Sequence, residues 1–244
     1  MILSHEKKFI FLKTRKVAGT SLEIVLSQLC GPRDILTLFG GRLNIVQEDE
    51  AQRLARSGRR AQNYEMPLSG YSLWQRLTGL PRRNPIRLYY EHMPAERLKD
   101  LTPPAVWSEY FKFSVIRNPF DFAVSNYHWY RKTGRTEQDF RSFLLDNAWA
   151  QTVNSRITEI DGEPVVDFML RYEYLAEDLV TLSEHLNIDP ALWSDFTGVR
   201  AKGSLRPKSS TTRDAFKDFP EGVAFVRDTC RTTFERYGYA PDPE

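Results

Sequence analysis

The sequence predicts an α/β fold: one domain over residues 1–244, with a central parallel sheet flanked by helices and a P-loop-like turn after its first strand. Two observations carry that expectation. Short apolar runs pass through a polar turn into helical periodicity at least twice, the pattern of strands joined by crossover helices. The first of these turns gathers cations, hydroxyls and a glycine at a helix start. A chain of 244 residues buries roughly 70–75% of its unfolded surface and needs no cross-links to be stable.

The elements follow in order. Phe9-Ile10-Phe11-Leu12 is a continuous apolar run, suited to a strand buried on both faces. Thr14 to Gly19 form a polar loop, and Leu22, Val25, Leu26 and Leu29 then mark a helix that Gly31-Pro32 stops. A second run, Ile86 to Tyr90, reads as a parallel strand ending at Glu91-His92. A third, Phe111 to Ile116, ends at Arg117, and Asn118-Pro119-Phe120-Asp121 supplies an N-cap, a Pro at N1 and an acid at N3. Asp161-Gly162 marks a hairpin within Ile157 to Met169. Glu173 to Leu186 and Gly222 to Tyr237 read as helices, and residues 198–214 as one long loop of the kind usually tied to function.

Composition narrows the class. The balance of 34 Lys+Arg against 32 Asp+Glu excludes a histone-like polycation and an acidic tail. Aromatic content of 13% argues against disorder. Cys30 and Cys230 have no metal-ligand spacing and read as free thiols, with a single long-range disulfide left open. The charged stretch from Met1 to Lys8 fits no signal peptide and reads as a frayed end. No apolar stretch approaches the ~20 residues of a membrane span. The expectation is a cytoplasmic enzyme or binding domain with no metal.

The loop Lys13-Thr14-Arg15-Lys16-Val17-Ala18-Gly19-Thr20-Ser21 joins a buried strand to a helix N-terminus, where open amide groups and the helix dipole favour an anion. The Walker A pattern fails, because no Gly lies five residues before Gly19 and no Lys follows it. A phosphate site and a plain basic turn both fit. The third strand ends in Arg117, a bidentate oxyanion donor, where a magnesium-using NTPase would place an Asp. Ser125 follows eight residues later.

Together these motifs resemble the sulfotransferases that use 3′-phosphoadenosine-5′-phosphosulfate (PAPS), closest to their carbohydrate-type and bacterial branch. Lys16-Val17-Ala18-Gly19-Thr20-Ser21-Leu22 is similar to their 5′-phosphosulfate loop, and Arg117-Asn118-Pro119 with Ser125 to their 3′-phosphate motif. Arg206-Pro207-Lys208-Ser209-Ser210 resembles their late nucleotide-covering loop, and Val166 to Glu173 and Phe234 to Tyr239 resemble further family segments. The likeness covers residues 8–30 and 110–130 well and the C-terminal third loosely. The resemblance implies a sulfotransferase fold and sulfuryl transfer from PAPS to a hydroxyl, with 3′-phosphoadenosine-5′-phosphate (PAP) as product. It assigns Lys16, Ala18, Gly19, Thr20 and Ser21 to the 5′-phosphosulfate, with Lys16 stabilising the leaving group, and this chain's own Arg15 adds a cation to the same site. It assigns Arg117 and Ser125 to the 3′-phosphate, and Lys208 and Ser209 to closure over it. Relatives often have Ile-Pro-Lys where this chain has Thr14-Arg15-Lys16, which leaves the local loop shape open.

A general base is wanted for the acceptor hydroxyl. His5 belongs to the frayed end and His185 to a helix C-terminus, a structural place. His128 follows Ser125 by three residues and fits either the site or aromatic packing. His92 ends the second strand run, where open α/β sheets gather ligands, and its position resembles the family's catalytic histidine. It is the chosen base, with an ordinary pKa near 6.5, and Glu91 is the fallback. Residues 31–85 form an insertion with no family counterpart. Residues 42–87 hold nine arginines, no lysine and four acids, which suits either an acceptor surface for an anionic glycan or a solvated helical face near Gln47 to Arg60. Nothing resembles a nucleic-acid-binding motif. The expected acceptor is a carbohydrate. A P-loop kinase using ATP and magnesium, and a binding module without chemistry, are the rival readings.

Overall fold

The structure, a computed structural model, describes residues 1–40, 46–194, 196 and 211–243. Lys208, Ser209 and the rest of the covering loop lie outside the described residues. A five-stranded sheet is built from β1 (Ile2–Ser4), β2 (Phe9–Phe11), β3 (Ile35–Leu36), β4 (Phe111–Ile116) and β7 (Phe168–Arg171), in the order β3-β1-β2-β4-β7. Its centre is parallel: Phe11 stands beside Phe113, and Ile116 beside Arg171. Its other side is antiparallel, through β1 against both β2 and β3. The sheet is therefore mixed, not wholly parallel.

Alternation along β2 explains its apolar run. Phe9 and Phe11 pack with helix α1 (Gly19–Leu26) and helix Leu175–Leu186, while Ile10 and Leu12 pack with Ala95, Leu98 and Tyr110. Both faces are buried, so both sets must be apolar. Two expectations fail here. The N-terminus is not frayed: Met1 is buried and Ile2–Ser4 form the buried strand β1. Its turn is held by Asp34, whose carboxylate accepts from the N–H groups of His5 and Gly31 at 2.7 and 2.8 Å. A run of three apolar residues is too short to read as a strand.

Residues 86–90, in turn, form no strand of the sheet. They carry only a bridge between Glu65 and Arg87, and the N–H groups of Leu88 and Tyr89 both bond the Tyr64 carbonyl. β1, nearby in sequence, closes a tight turn onto β2 and takes that edge at low loop-closure cost.

The remaining elements follow the patterning closely. Asn118 caps helix Pro119–Lys132, its side chain accepting from Phe120 N–H at 2.9 Å. The hairpin β5 (Glu159–Ile160) to β6 (Glu163–Pro164) turns at Asp161 (φ 54°) and Gly162 (φ 81°), the two positive φ values a type I′ turn needs. The last helical stretch is two helices, Pro220–Thr229 and Arg231–Tyr237. The long loop yields to helix Thr212–Phe216, capped by Thr211. Cys30 and Cys230 are both free and buried, in different clusters, and burial pushes Cys230 up to about 12. Among the described residues no helix is long and apolar enough to cross a membrane.

Candidate active site

All three parallel strands deliver a residue to one cleft of ≈ 820 Å³: Lys13 just past β2, Arg117 just past β4 and Tyr172 just past β7. This is the carboxyl end of the sheet, where open α/β folds bind ligands. The predicted loop lines the same cleft from Lys13 to Ser21, as do Glu91, His92 and Ser125. The residues singled out in the sequence thus converge, apart from Lys208 and Ser209, which fall outside the described residues.

The loop is built under strain. Lys16 (φ 64°) and Ala18 (φ 58°) are both left-handed, a conformation costing roughly 1–2 kcal/mol for a residue with a Cβ. Outside contacts hold it. Arg117 Nη1 donates to the Lys16 carbonyl at 3.0 Å, and Asn154 brackets Arg15, accepting from its N–H at 2.8 Å and donating to its carbonyl at 3.1 Å. Helix α1 then begins at Gly19, with its first turn closed by Leu22 N–H on the Ala18 carbonyl. A Cβ on Gly19 would sit 3.0 Å from Lys13 Cγ and 3.4 Å from the Thr14 carbonyl. Glycine is needed there because the helix start lies against Lys13.

Arg117 is gripped on three sides. Its Nε donates to Asp121 Oδ2 at 2.5 Å, Nη2 pairs with the same carboxylate, and the guanidinium lies 4.3 Å from the Tyr172 ring centre. These bonds leave donors on both terminal nitrogens. Thr212 in turn donates to Asp121 Oδ1 at 2.7 Å. Ser125 lies two turns into the same helix and lines the cleft.

Beneath the loop lies a buried ionic cluster that the sequence did not announce. Lys13 Nζ is 2.6 Å from Glu23 Oε2 and 2.7 Å from Glu91 Oε2, and Glu23 also pairs with the amino group of Met1. Burial alone would lower the Lys13 pKa, but the two carboxylates outweigh it and hold it above its ordinary value. Burial likewise favours neutral Glu23, and Lys13 with the Met1 amine overrides it, so its pKa is lowered. The available signal was Glu23 itself, a charge on a helix whose eight residues are all buried.

His92 rests on this cluster. It occupies a left-handed turn (φ 59°) before helix Ala95–Leu101, and no strand end, so its place in the cleft comes from loop geometry. Its Nδ1 lies 2.9 Å from the Lys13 carbonyl. A carbonyl only accepts, so Nδ1 carries the proton and Nε2 keeps its lone pair. Nε2 lies 3.9 Å from Glu91 Oε2. Burial, with Lys13 and Arg15 adding to it, pushes His92 down to about 3, well below the ordinary value expected from sequence. Glu91 has both oxygens engaged, one by Lys13 and the other by Gly40 N–H at 2.8 Å.

The other histidines sit elsewhere. His185 stacks on Phe111 at 4.8 Å. His128 packs on Tyr127 at 5.3 Å and does not line the cleft. His5 is half-buried, with Nδ1 2.8 Å from the Tyr110 hydroxyl. Within the Arg-rich stretch, Arg53 of helix α2 (Gln47–Ser57) is fully buried over the Phe39 ring and donates to the Thr37 carbonyl. That helical face is therefore partly core. Trp129, Arg135 and Tyr64 also line the cleft, and no motif marked them.

A cationic loop at a helix start and an arginine past the end of the next parallel strand, both at the carboxyl edge of the sheet, suit an α/β enzyme that takes an anionic ligand. The chain is a member of the Sulfotransferase family, whose model matches residues 1–191. That family is one of enzymes, and its sulfuryl donor is PAPS. The chain matched no curated protein and no solved structure.

The cleft suits such a donor. Arg15 Nε is buried without a hydrogen-bond partner, an orphan cationic donor in the cleft wall. The donor set is otherwise ammonium, guanidinium, hydroxyl and backbone amide, which is the chemistry that holds phosphate and sulfate.

Proposed function

We propose that this enzyme transfers a sulfuryl group from PAPS to a hydroxyl of a carbohydrate, with Lys16 and His92 as its catalytic residues. One observation carries the assignment of His92: its Nδ1–H on the Lys13 carbonyl leaves Nε2 unprotonated in the cleft that Lys16 lines. PAPS supplies an activated sulfuryl group on a phosphosulfate anhydride. The chain's own residues do the rest. Arg15, Lys16 and the loop from Ala18 through Gly19, Thr20 and Ser21 bind the 5′ end, and Arg117 with Ser125 binds the 3′-phosphate. Lys208 and Ser209 close over it.

His92 Nε2 takes the hydroxyl proton as the acceptor oxygen bonds to sulfur. Glu91, tied to Lys13, offers its charge to the imidazolium that forms, and Lys16 meets the negative charge left on the bridging oxygen. Burial holds His92 neutral with Nε2 as its proton acceptor, and the negative charge of a bound phosphosulfate raises its basicity toward the working range. The reaction runs in the cytoplasm in this reading, and one domain spans the chain.

Calorimetry tests the donor assignment. PAP should bind at least tenfold tighter than ADP, and Arg117→Ala should weaken PAP on the order of 10–100-fold, the loss of a charge-assisted hydrogen bond worth about 1.5–3 kcal/mol. Equal affinity for PAP and ADP overturns the nucleotide reading.

A further inference from the structure

We infer that residues 68–77 form a docking surface for an anionic lipid bilayer, on a face that the sulfotransferase reading leaves unused.

Exposure singles the segment out. Leu68 is 64% exposed, Leu73 and Trp74 73% and Leu77 74%, whereas the next large apolar side chain among the described residues, Trp149, reaches 54%. Single apolar residues on a surface are ordinary, but the four most exposed ones gathered within ten residues form a patch. Leu73 and Leu77 stand one turn apart on helix Leu73–Leu77, and Trp74 lies three residues before Leu77, so the three share a stripe. That stripe faces solvent, the reverse of a helix that packs on a core.

Ordered backbone holds these side chains outward. Ser72 and Gln75 close a capping box at the helix start. Arg76 Nε donates to the Tyr71 carbonyl at 2.9 Å and Nη2 to the Ser69 carbonyl at 3.1 Å, tying the turn Leu68–Gly70 to the helix. Tyr71 is the anchor: it is buried, and its hydroxyl accepts from the Ile86 N–H at 2.7 Å. The Met66 N–H in turn bonds the Ile86 carbonyl at 2.7 Å.

Charge selects the occupant. Residues 66–90 hold four arginines, no lysine and no acid. A second copy of the chain seated here would set two acid-free, arginine-bearing segments against each other. An anionic lipid surface supplies the missing negative charge. It also accepts the apolar set, with leucines at the acyl boundary, Trp at the headgroup level and arginines reaching toward phosphates. The helix is five residues long, too short to span, so it lies on the surface. Tyr64 and Arg87, which flank the segment in the chain, line the catalytic cleft, so the docking face and the cleft wall share one stretch of backbone.

Vesicle flotation of the full chain at low salt is the test. Vesicles of phosphatidylcholine alone are compared with vesicles of equimolar phosphatidylcholine and phosphatidylglycerol. Binding should be stronger on the anionic vesicles by on the order of tenfold or more, and weaker at high salt. Trp74→Ser combined with Leu77→Ser should weaken it on the order of tenfold or more. Ser69→Glu combined with Asn84→Glu, which place acids at exposed positions among the arginines, should do the same. All four positions are exposed and none lines the cleft, so the melting temperature should stay at the wild-type value and show that the fold survives. Equal binding to both vesicles, no binding to either, or binding that survives either pair of substitutions overturns the inference. Light scattering covers the rival occupant: a dimer that Leu77→Ser dissolves gives the face to a second copy and overturns it too. No measurement here involves the donor, so failure would leave the sulfotransferase reading as it stands.

Discussion

Lys16 and His92 line one cleft, and the roles proposed for them separate their substitutions in kinetics. Lys16→Ala should lower kcat strongly while donor affinity falls less, because the charge it meets is largest in the transition state. A variant with normal kcat and raised donor KM would make Lys16 a binding residue only. His92→Ala should cost roughly 10²–10⁴ in kcat with PAP binding intact, and His128→Ala should leave kcat within about a few-fold.

The environment of His92 also sets a pH profile. Its pKa of about 3 in the free enzyme places its protonation below the working range, so kcat/KM should show no acidic limb from His92 between about pH 5 and 8. A limb near 6.5 that vanishes in His92→Gln would contradict the buried, carbonyl-bonded ring. Stability must run the same way. The unfolded chain protonates this histidine near 6.5 and the folded one only near 3, so acidification through that window favours unfolding. The melting temperature of the wild type should therefore fall more steeply from pH 7 to 5 than that of His92→Gln.

At the scale of elements, helix α1 joins the anion loop to the ionic cluster. Its N-terminal turn faces the cleft, while Glu23, one turn in, balances Lys13 from below. Removing one member of a buried ion pair leaves a charge without compensation, at about 3 kcal/mol or more. Glu23→Gln should lower unfolding stability by that order in urea titrations and loosen the loop that Lys13 supports. A change below about 1 kcal/mol would mean that Glu91 alone suffices to hold Lys13.

The strand assignments show what periodicity conveys. β4 was legible from a six-residue run, the helix after it from the Asn118 cap, and β2 from the four-residue apolar run Phe9 to Leu12. The run 86–90 was not, since an apolar run of five residues satisfies a strand and a packed loop equally. Only the pairing of β1 with β2 decides between them.

At the scale of the molecule, the loop at β2 and the arginine at β4 read as one site because parallel neighbours end at the same edge. The reading implies that the reaction needs charge and positioning and no divalent cation. Activity should survive excess EDTA, whereas a loss restored by magnesium would favour a kinase. PAP at a hundred times its Kd should stabilise the fold by about 2.7 kcal/mol, seen as a raised Tm. ADP at that concentration should do far less.

By itself the sequence determined strands β2 and β4 and singled out the loop from Lys13 to Ser21, Arg117, Ser125 and His92, which the fold brings to one cleft. These are local signals, in which capping, apolar runs and charge spacing act within a few residues. The tertiary structure alone decided the antiparallel edge, the Lys13–Glu23–Glu91 cluster and the tautomer of His92. It also decided the placing of Arg135 over the Trp129 ring. Each of these joins residues 5 to 79 positions apart, and a charge records nothing in sequence about whether its partner is water, a ring or a buried carboxylate. Burial settles that choice, and burial is a property of the assembled fold.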